Sequence, residues 1–375
     1  MRCIHGACGV SNLGWLRRLS SKGRSMKRKS LVMFVTRAVM ASILLWLSAY
    51  PTFADVSYRD QCIEGTKTHL PVYVWQETAR NPKGVVLLLH GIAERACTLD
   101  CLAQKLVSDD FLVYGLDERG HGWWHFHQKK GDPGYKCDFS QTVNDVDKLL
   151  FVLKEEHPGL PVFLIGESVG AAVAWRAAVH RPDAVDGIVA AGTGCTARHV
   201  KISWVISDLL RNCYRWNHQI NIVRYQLKYG TDDLPAFEET LKDTEQRKTL
   251  SLSEIMGANK FLRKNCKFAR RLDPHIAVLI IQGESDHVLS PKSARKVFDT
   301  ANSLNKRLVV IPKCGHILLG ISRLKPMVSD SIKSFMNEVA SRCAVVTKSS
   351  AVCRTAFEPK LRLIEGSAPH EVIPH

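Results

Sequence analysis

Pro161-Val162-Phe163-Leu164-Ile165-Gly166-Glu167-Ser168-Val169-Gly170-Ala171-Ala172 encodes a strand, a sharp turn and the start of a helix. The run from Pro161 to Gly166 is apolar on both faces and closed by glycine, the pattern of a strand buried within a sheet. The Ala-rich continuation predicts a helix over 171–180. Between them, Gly166-Glu167-Ser168-Val169-Gly170 has the form G-x-S-x-G in strand–turn–helix context. A turn that tight holds the serine in a strained conformation, and the flanking glycines remove Cβ atoms that would clash. Ser168 Oγ is then presented at the end of the sheet. The Val169 N–H lies at a helix N-terminus, where orphan donors and the helix dipole favour negative charge.

Working outward, five more apolar runs have the same character: 84–91, 111–117, 188–192, 277–283 and 306–311. Helical periodicity separates them, over 99–108, 142–156, 291–302 and 324–341. Strands apolar on both faces, alternating with helices, predict a parallel sheet covered on both sides, an α/β doubly wound architecture. The stretch between Cys195 and Pro274 holds no buried-strand run, and is too long for a structureless loop inside a domain. Within it Ile202, Val205, Ile206, Leu209, Leu210 and Cys213 fall on one helix face, and Phe261, Leu262, Asn265, Cys266, Phe268, Ala269 and Leu272 suggest another helix. Residues 197–272 are therefore expected to be a helical cap inserted into a core of 55–196 and 273–342. Residues 343–375 are expected to be a loosely ordered tail.

Charge separates the N-terminus from the rest. The 375 residues carry a net +16, but residues 1–54 hold nine Lys/Arg and no acid. Met26-Lys27-Arg28-Lys29, the apolar run Ala38 to Tyr50, and Thr52-Phe53-Ala54 have the form of a secretory signal with cleavage before Asp55. Met26 is the better signal start, so 1–25 need not be translated. The expectation is export, to a periplasm or the medium, with retention as an N-terminal anchor as the alternative. The remainder has 43 Lys/Arg against 36 Asp/Glu, too small an excess to argue for nucleic acid. Of these, 15 Lys/Arg and 8 Asp/Glu lie within 198–272, so the whole excess is on the cap. Ten cysteines follow Ala54, an even number that permits disulfides in an exported chain but does not fix their pairing. Neither C-x-x-C nor Cys/His finger spacing occurs, and no metal site is expected.

A serine hydroxyl is a weak nucleophile that needs a base, and the base needs an orienting carboxylate. Asp286, in Gly283-Glu284-Ser285-Asp286, lies just past one predicted strand, and His316, in Gly315-His316-Ile317, just past the last. Sites in parallel sheets form beyond the carboxyl ends of strands. Glu284 and Asp273 compete with Asp286 for the acidic role. His90-Gly91-Ile92 ends another strand, so the N–H groups of Ile92 and Val169 are the expected oxyanion donors. The charged groups of Asp117-Glu118-Arg119-Gly120-His121-Gly122 are expected to brace a loop. Trp123 and Trp124 fit either an acyl pocket or packing beneath the cap.

These residues together resemble one family. His90-Gly91 after a strand, Asp117-x-Arg119-Gly120-His121-Gly122, Gly166-Glu167-Ser168-Val169-Gly170, Gly283-x-x-Asp286 and Gly315-His316 are similar to the monoacylglycerol lipase/lysophospholipase-like, serine-aminopeptidase-related branch of the α/β-hydrolases. The match covers about 84–340. It implies an α/β-hydrolase fold, a mostly parallel sheet with an inserted helical cap, and ester hydrolysis through an acyl-serine with no metal and no cofactor. The implied partners are a lipid or other ester substrate and, given the cap charge, an anionic membrane surface. Other readings are hydrolysis of small esters, amides or peptides on the same residues, or an inactive fold used for binding. Trp123-Trp124 stands where the family usually has a small residue, and Ala171 where a second glycine is often found.

Overall fold

The computed structural model describes residues 69–76, 81–195 and 219–356, with side chains described to 345. Residues 1–54, with the expected signal, and the Ile202–Cys213 helix face lie outside the described residues.

The strands are β1 (Val72–Trp75), β2 (Val85–Leu89), β3 (Leu112–Leu116), β4 (Val162–Glu167), β5 (Gly187–Ala191), β6 (Gln219–Asn221), β7 (Thr249–Ser251), β8 (Ala277–Gly283) and β9 (Lys306–Ile311). Seven of them form one sheet in the order β1-β3-β2-β4-β5-β8-β9. All neighbours in it run parallel except β1, which pairs antiparallel with β3 at the edge. The sequence runs predicted as buried strands are β2, β3, β4, β5, β8 and β9, but β9 stands at the sheet edge and is only half-buried, because no strand covers its outer side. β1 was not predicted. It is four residues long, too short for a period to declare itself.

The larger helices are α1 (Asp100–Ser108), α2 (Gly122–Phe126), α3 (Phe139–Glu156), α4 (Val169–His180), α5 (Leu234–Thr240), α6 (Leu252–Leu262), α7 (Asn265–Arg270), α8 (Pro291–Thr300) and α9 (Pro326–Ala356). Their starts follow local chemistry. Asp138 caps α3 by accepting from Gln141 N–H at 2.9 Å. Ser251 and Glu254 close a capping box on α6. Ser290 precedes Pro291 at the head of α8, where the missing proline N–H costs nothing.

β2, β4, β5 and β8 are buried on both faces. One layer of core packs α3 and α4 on the sheet through Val146, Leu149, Leu150, Ala174 and Trp175. The opposite layer packs α1 and α9 through Leu102, Leu106, Ile332, Phe335 and Met336. α9 continues through residue 343 to Ala356, where the sequence suggested a tail. No glycine or proline interrupts 343–356, so the helix nucleated by packing upstream propagates.

Between β5 and β8 the described residues 219–272 are not helical throughout. β6 and β7 form an antiparallel ribbon with Ile220 opposite Leu250. The single helix suggested around 261–272 is two short ones, α6 and α7, broken at Arg263-Lys264. Among the described residues, no helix is long and apolar enough to cross a membrane.

Candidate active site

β4 ends at Glu167 and α4 begins at Val169, so Ser168 alone makes the turn. Its φ of 55° and ψ of −109° lie in a region few L-residues occupy. The geometry allows nothing larger than glycine on either side. A Cβ at Gly166 would meet the Gly170 carbonyl carbon at 2.4 Å, and one at Gly170 would meet Leu89 O at 2.2 Å. Ser168 N–H donates to Ala191 O at 2.9 Å, which anchors the strained residue to β5.

Ser168 Oγ lies 2.9 Å from His316 Nε2, and His316 Nδ1 lies 2.8 Å from Asp286 Oδ2. The three side chains come from the ends of β4, β8 and β9 and are all buried. The competing acids are elsewhere. Glu284 accepts from Lys313 N–H at the surface, and Asp273 caps the turn at His275. Asp286 is fixed by more than histidine. Its Oδ1 accepts from Val288 and Leu289 N–H at 2.7 and 2.8 Å, and its Oδ2 from Gln282 Nε2 at 2.7 Å. Gln282 belongs to this site although nothing in the sequence marked it, since it sits in a strand read only as apolar.

Burial disfavours charge on both partners of the pair, but their mutual attraction and hydrogen bond outweigh it. Asp286 is held below the ordinary carboxylate value, helped by its two backbone donors. His316 is held above the ordinary imidazole value of 6.5, helped by the nearby Glu167. The tautomer that donates Nδ1–H to Asp286 leaves Nε2 to accept from the Ser168 hydroxyl.

The loop bearing His316 is clamped from two sides. Gly230 O accepts from both His316 N–H and Ile317 N–H, at 2.8 and 2.7 Å, and Asp232 accepts from Gly315 N–H at 2.9 Å. On the core side Glu167 accepts from the N–H groups of Leu318, Leu319 and Gly320 at 2.5, 2.9 and 2.9 Å. The variable residue of G-x-S-x-G thus holds the histidine loop, a role invisible in the motif.

The Val169 side chain belongs to an apolar cluster with Phe139, Ala258, Leu262 and Leu289, and Ile92 packs against it. Among the described residues Ile92 N–H makes no hydrogen bond. Val169 N–H stands at the first helical position, where no intrahelical acceptor exists. Glu94 pins the loop between them by accepting from Gly91 N–H at 2.8 Å.

Trp123 and Trp124 are not part of that cluster. Trp124 is buried, donates its indole N–H to Asp117 O at 3.0 Å, and lies under the Arg119 guanidinium at 3.9 Å. Trp123 stacks on His127 at the margin of the α3 core layer. Trp124 packs in support of the loop's charges, while the Trp123 ring touches Trp124 and His127. Asp117 accepts from Ala96 and Trp123 N–H, and Arg119 pairs with Asp145, as the bracing role requires.

Residues 80–320, more than half of the chain, match the family model described as serine aminopeptidase, S33. Human monoglyceride lipase is 27% identical over 251 residues, 65% of this chain and 78% of that protein. The monkeypox virus monoglyceride lipase homolog is 33% identical over 241 residues, 63% of this chain and 83% of that protein. Among solved structures, a soluble variant of Saccharomyces cerevisiae monoglyceride lipase in complex with a substrate analog is similar with a TM-score of 0.59 at 19% identity, covering 78% of this chain and 97% of that one. The Paleococcus ferrophilus monoacylglycerol lipase has a TM-score of 0.56 at 20% identity, covering 72% and 98%. At those identities the structures speak to fold, and the fold is the same mostly parallel, helix-covered sheet. The chain belongs to the serine aminopeptidase, S33 family, in the monoacylglycerol lipase-like branch of the α/β-hydrolases.

Proposed function

We propose that this hydrolase cleaves carboxylic esters of the monoacylglycerol or lysophospholipid type through an acyl-serine intermediate. The observation that carries the reading is the hydrogen-bonded chain from Ser168 through His316 to Asp286 at the head of α4. Ser168 Oγ attacks the acyl carbonyl while His316 Nε2 takes its proton. The oxyanion that forms is received by the N–H groups of Ile92 and Val169. His316 returns the proton to the leaving alcohol, and water then repeats the sequence on the acyl-serine. Asp286 keeps the imidazole in the productive tautomer and offsets its charge. A lipid acyl chain is favoured by the apolar residues that surround the oxyanion donors, among them Ala258 and Leu262 on α6. The relatives' names point the same way, as lipases of monoglycerides.

Ser168→Ala tests the assignment. Hydrolysis of a monoacylglycerol and labelling by a fluorophosphonate should both vanish, with unfolding little changed. More than a tenth of the wild-type rate remaining would remove Ser168 from the mechanism. The family description also admits aminopeptidase chemistry. Faster turnover of aminoacyl p-nitroanilides than of long-chain p-nitrophenyl esters would favour that reading.

A further inference from the structure

The last part of the segment between β5 and β8 is docked on the core at a seam around α7. Arg176 of α4 is buried there. It donates to Asn265 Oδ1 at 3.1 Å and to Phe261 O at 2.5 Å, with its guanidinium over the Phe261 and Phe268 rings. Asn265 in turn donates to Gly194 O at 3.0 Å. Two cysteines stand directly beside that bond: Cys195 follows Gly194, and Cys266 follows Asn265. Cys195 is buried, with its N–H donating to Ser293 Oγ at 2.8 Å. Cys266 is half-buried and packs against the same core layer. Neither is in a disulfide here, and both pack on the same core layer, each next to a partner of the Asn265–Gly194 bond.

We propose that Cys195 and Cys266 are a disulfide-forming pair that staples the inserted segment to the hydrolase core. The Asn265–Gly194 bond and the shared core layer hold the two segments against each other at the positions next to the cysteines. The closed loop would span 195 to 266 and enclose almost the whole insertion, and chain-entropy arguments give long loops the largest stabilisation. With a small-molecule disulfide such as oxidised glutathione, the more exposed Cys266 reacts first. The neighbouring Cys195 and burial push the Cys266 thiol up, an effect that Lys296 and Arg270 offset only in part. Alkaline pH is therefore needed to supply the thiolate that attacks one glutathione sulfur and expels the other as a thiolate. Cys195, as thiolate, then attacks the Cys266 sulfur and releases the second glutathione. Two thiols lose two electrons and two protons, and one oxidised glutathione becomes two reduced ones. The staple does not depend on the hydrolytic reading.

The test uses the full chain, incubated with oxidised glutathione at mildly alkaline pH, quenched with N-ethylmaleimide, digested with trypsin and mapped without reduction. The tripeptide Asn265-Cys266-Lys267 should appear linked to the peptide ending at Arg198, and dithiothreitol should separate them. The oxidised chain should melt ~5 °C or more above the reduced one, as expected for a loop of that length in a domain of this size. That increment should be absent in Cys266→Ser. Alkylation of both cysteines after oxidation, a stable mixed disulfide with glutathione at Cys266, or linkage of Cys266 to a different cysteine would each overturn the proposal. The mapping needs no variant, so a Cys266→Ser chain that fails to fold would leave it intact.

Discussion

Ser168 holds a conformation that costs ~1–3 kcal/mol in a non-glycine residue, and the surroundings offset it with a sheet hydrogen bond and two obligatory glycines. Gly170→Ala should therefore be costly. Its Cβ would meet backbone oxygen of β2, a central strand that cannot retreat. A loss of ~2–3 kcal/mol, the upper end for overpacking, is expected in urea denaturation. Unchanged stability would mean that α4 can slide away from the sheet. The acid is tested separately. Asp286→Asn should lower kcat by about 10⁴-fold, because the amide favours the wrong tautomer of His316. It should also move the acid limb of the pH profile. In the wild type His316 must be neutral to act as base. Its raised pKa places that limb above the ordinary imidazole value of 6.5, and activity falls as pH drops through it. Removing the carboxylate removes the cause of the rise, so the limb of the residual activity should shift downward. A near-normal Asp286→Asn together with a dead Glu284→Gln would show that the wrong carboxylate had been assigned.

At the scale of elements, α6 is tied to the loops around the site by one buried ion pair. Arg247 donates to Glu254 Oε1 and Oε2 at 2.8 and 3.1 Å, and to Gly120 O at 2.8 Å. Its own N–H donates to Ala93 O, one residue past the Ile92 donor. Burial opposes the Glu254 charge, but Arg247 and the Ser251 donors outweigh it and hold the carboxyl far below its ordinary value. A depressed carboxylate contributes stability that is present above its unfolded pKa and lost as pH falls through the folded one. Glu254→Gln should cost ~3 kcal/mol at pH 7, because a buried guanidinium loses its counter-charge. The gap between wild type and variant should narrow progressively below about pH 4.5, the unfolded carboxylate value. A gap independent of pH would mean that packing, and not charge, holds α6.

For the whole molecule the distribution of charge matters more than its sum. Four acids of the insertion pair with residues of the core: Asp243 and Glu245 with Arg95, Asp233 with Arg323, and Asp232 with Lys325. Its cations Lys260, Arg263, Lys264, Lys267, Arg270 and Arg271 are exposed along α6 and α7. These exposed cations make the face of α6 and α7 basic, and a role in meeting anionic head groups is open to test. Attraction of this kind is screened within ~8 Å at physiological salt. Hydrolysis on vesicles containing anionic lipid should fall as salt rises, while hydrolysis of a soluble neutral ester should hardly change. Equal dependence for both, or none for either, would reduce the cap charge to ordinary solvated surface.

The sequence alone determined the elements that declare themselves locally. Short apolar runs became β2, β3, β4, β5, β8 and β9, and Gly166-x-Ser168-x-Gly170 became the turn, because strand formation and backbone sterics act over a few residues. Ser168, Asp286 and His316 were legible as residues at strand ends, since strand order places such ends together. Choosing Asp286 over Glu284 needed tertiary structure, as the two differ only in where the chain after β8 turns, whereas Asp273 precedes β8 and lies at its other end. The same holds for Gln282 behind Asp286 and for Glu167 under the histidine loop. Each hydrogen-bonds across elements that sequence distance keeps apart, and neither residue type signals such a partner. In the sequence Trp123 and Trp124 fit a pocket or packing beneath the cap equally, because aromatic clusters serve both. Only the positions of Asp117 and Arg119 show that the Trp124 ring packs on the loop. The ribbon of β6 and β7 was hidden for a related reason: strands of three residues carry no period, and the pairing that makes them strands joins residues far apart in the chain.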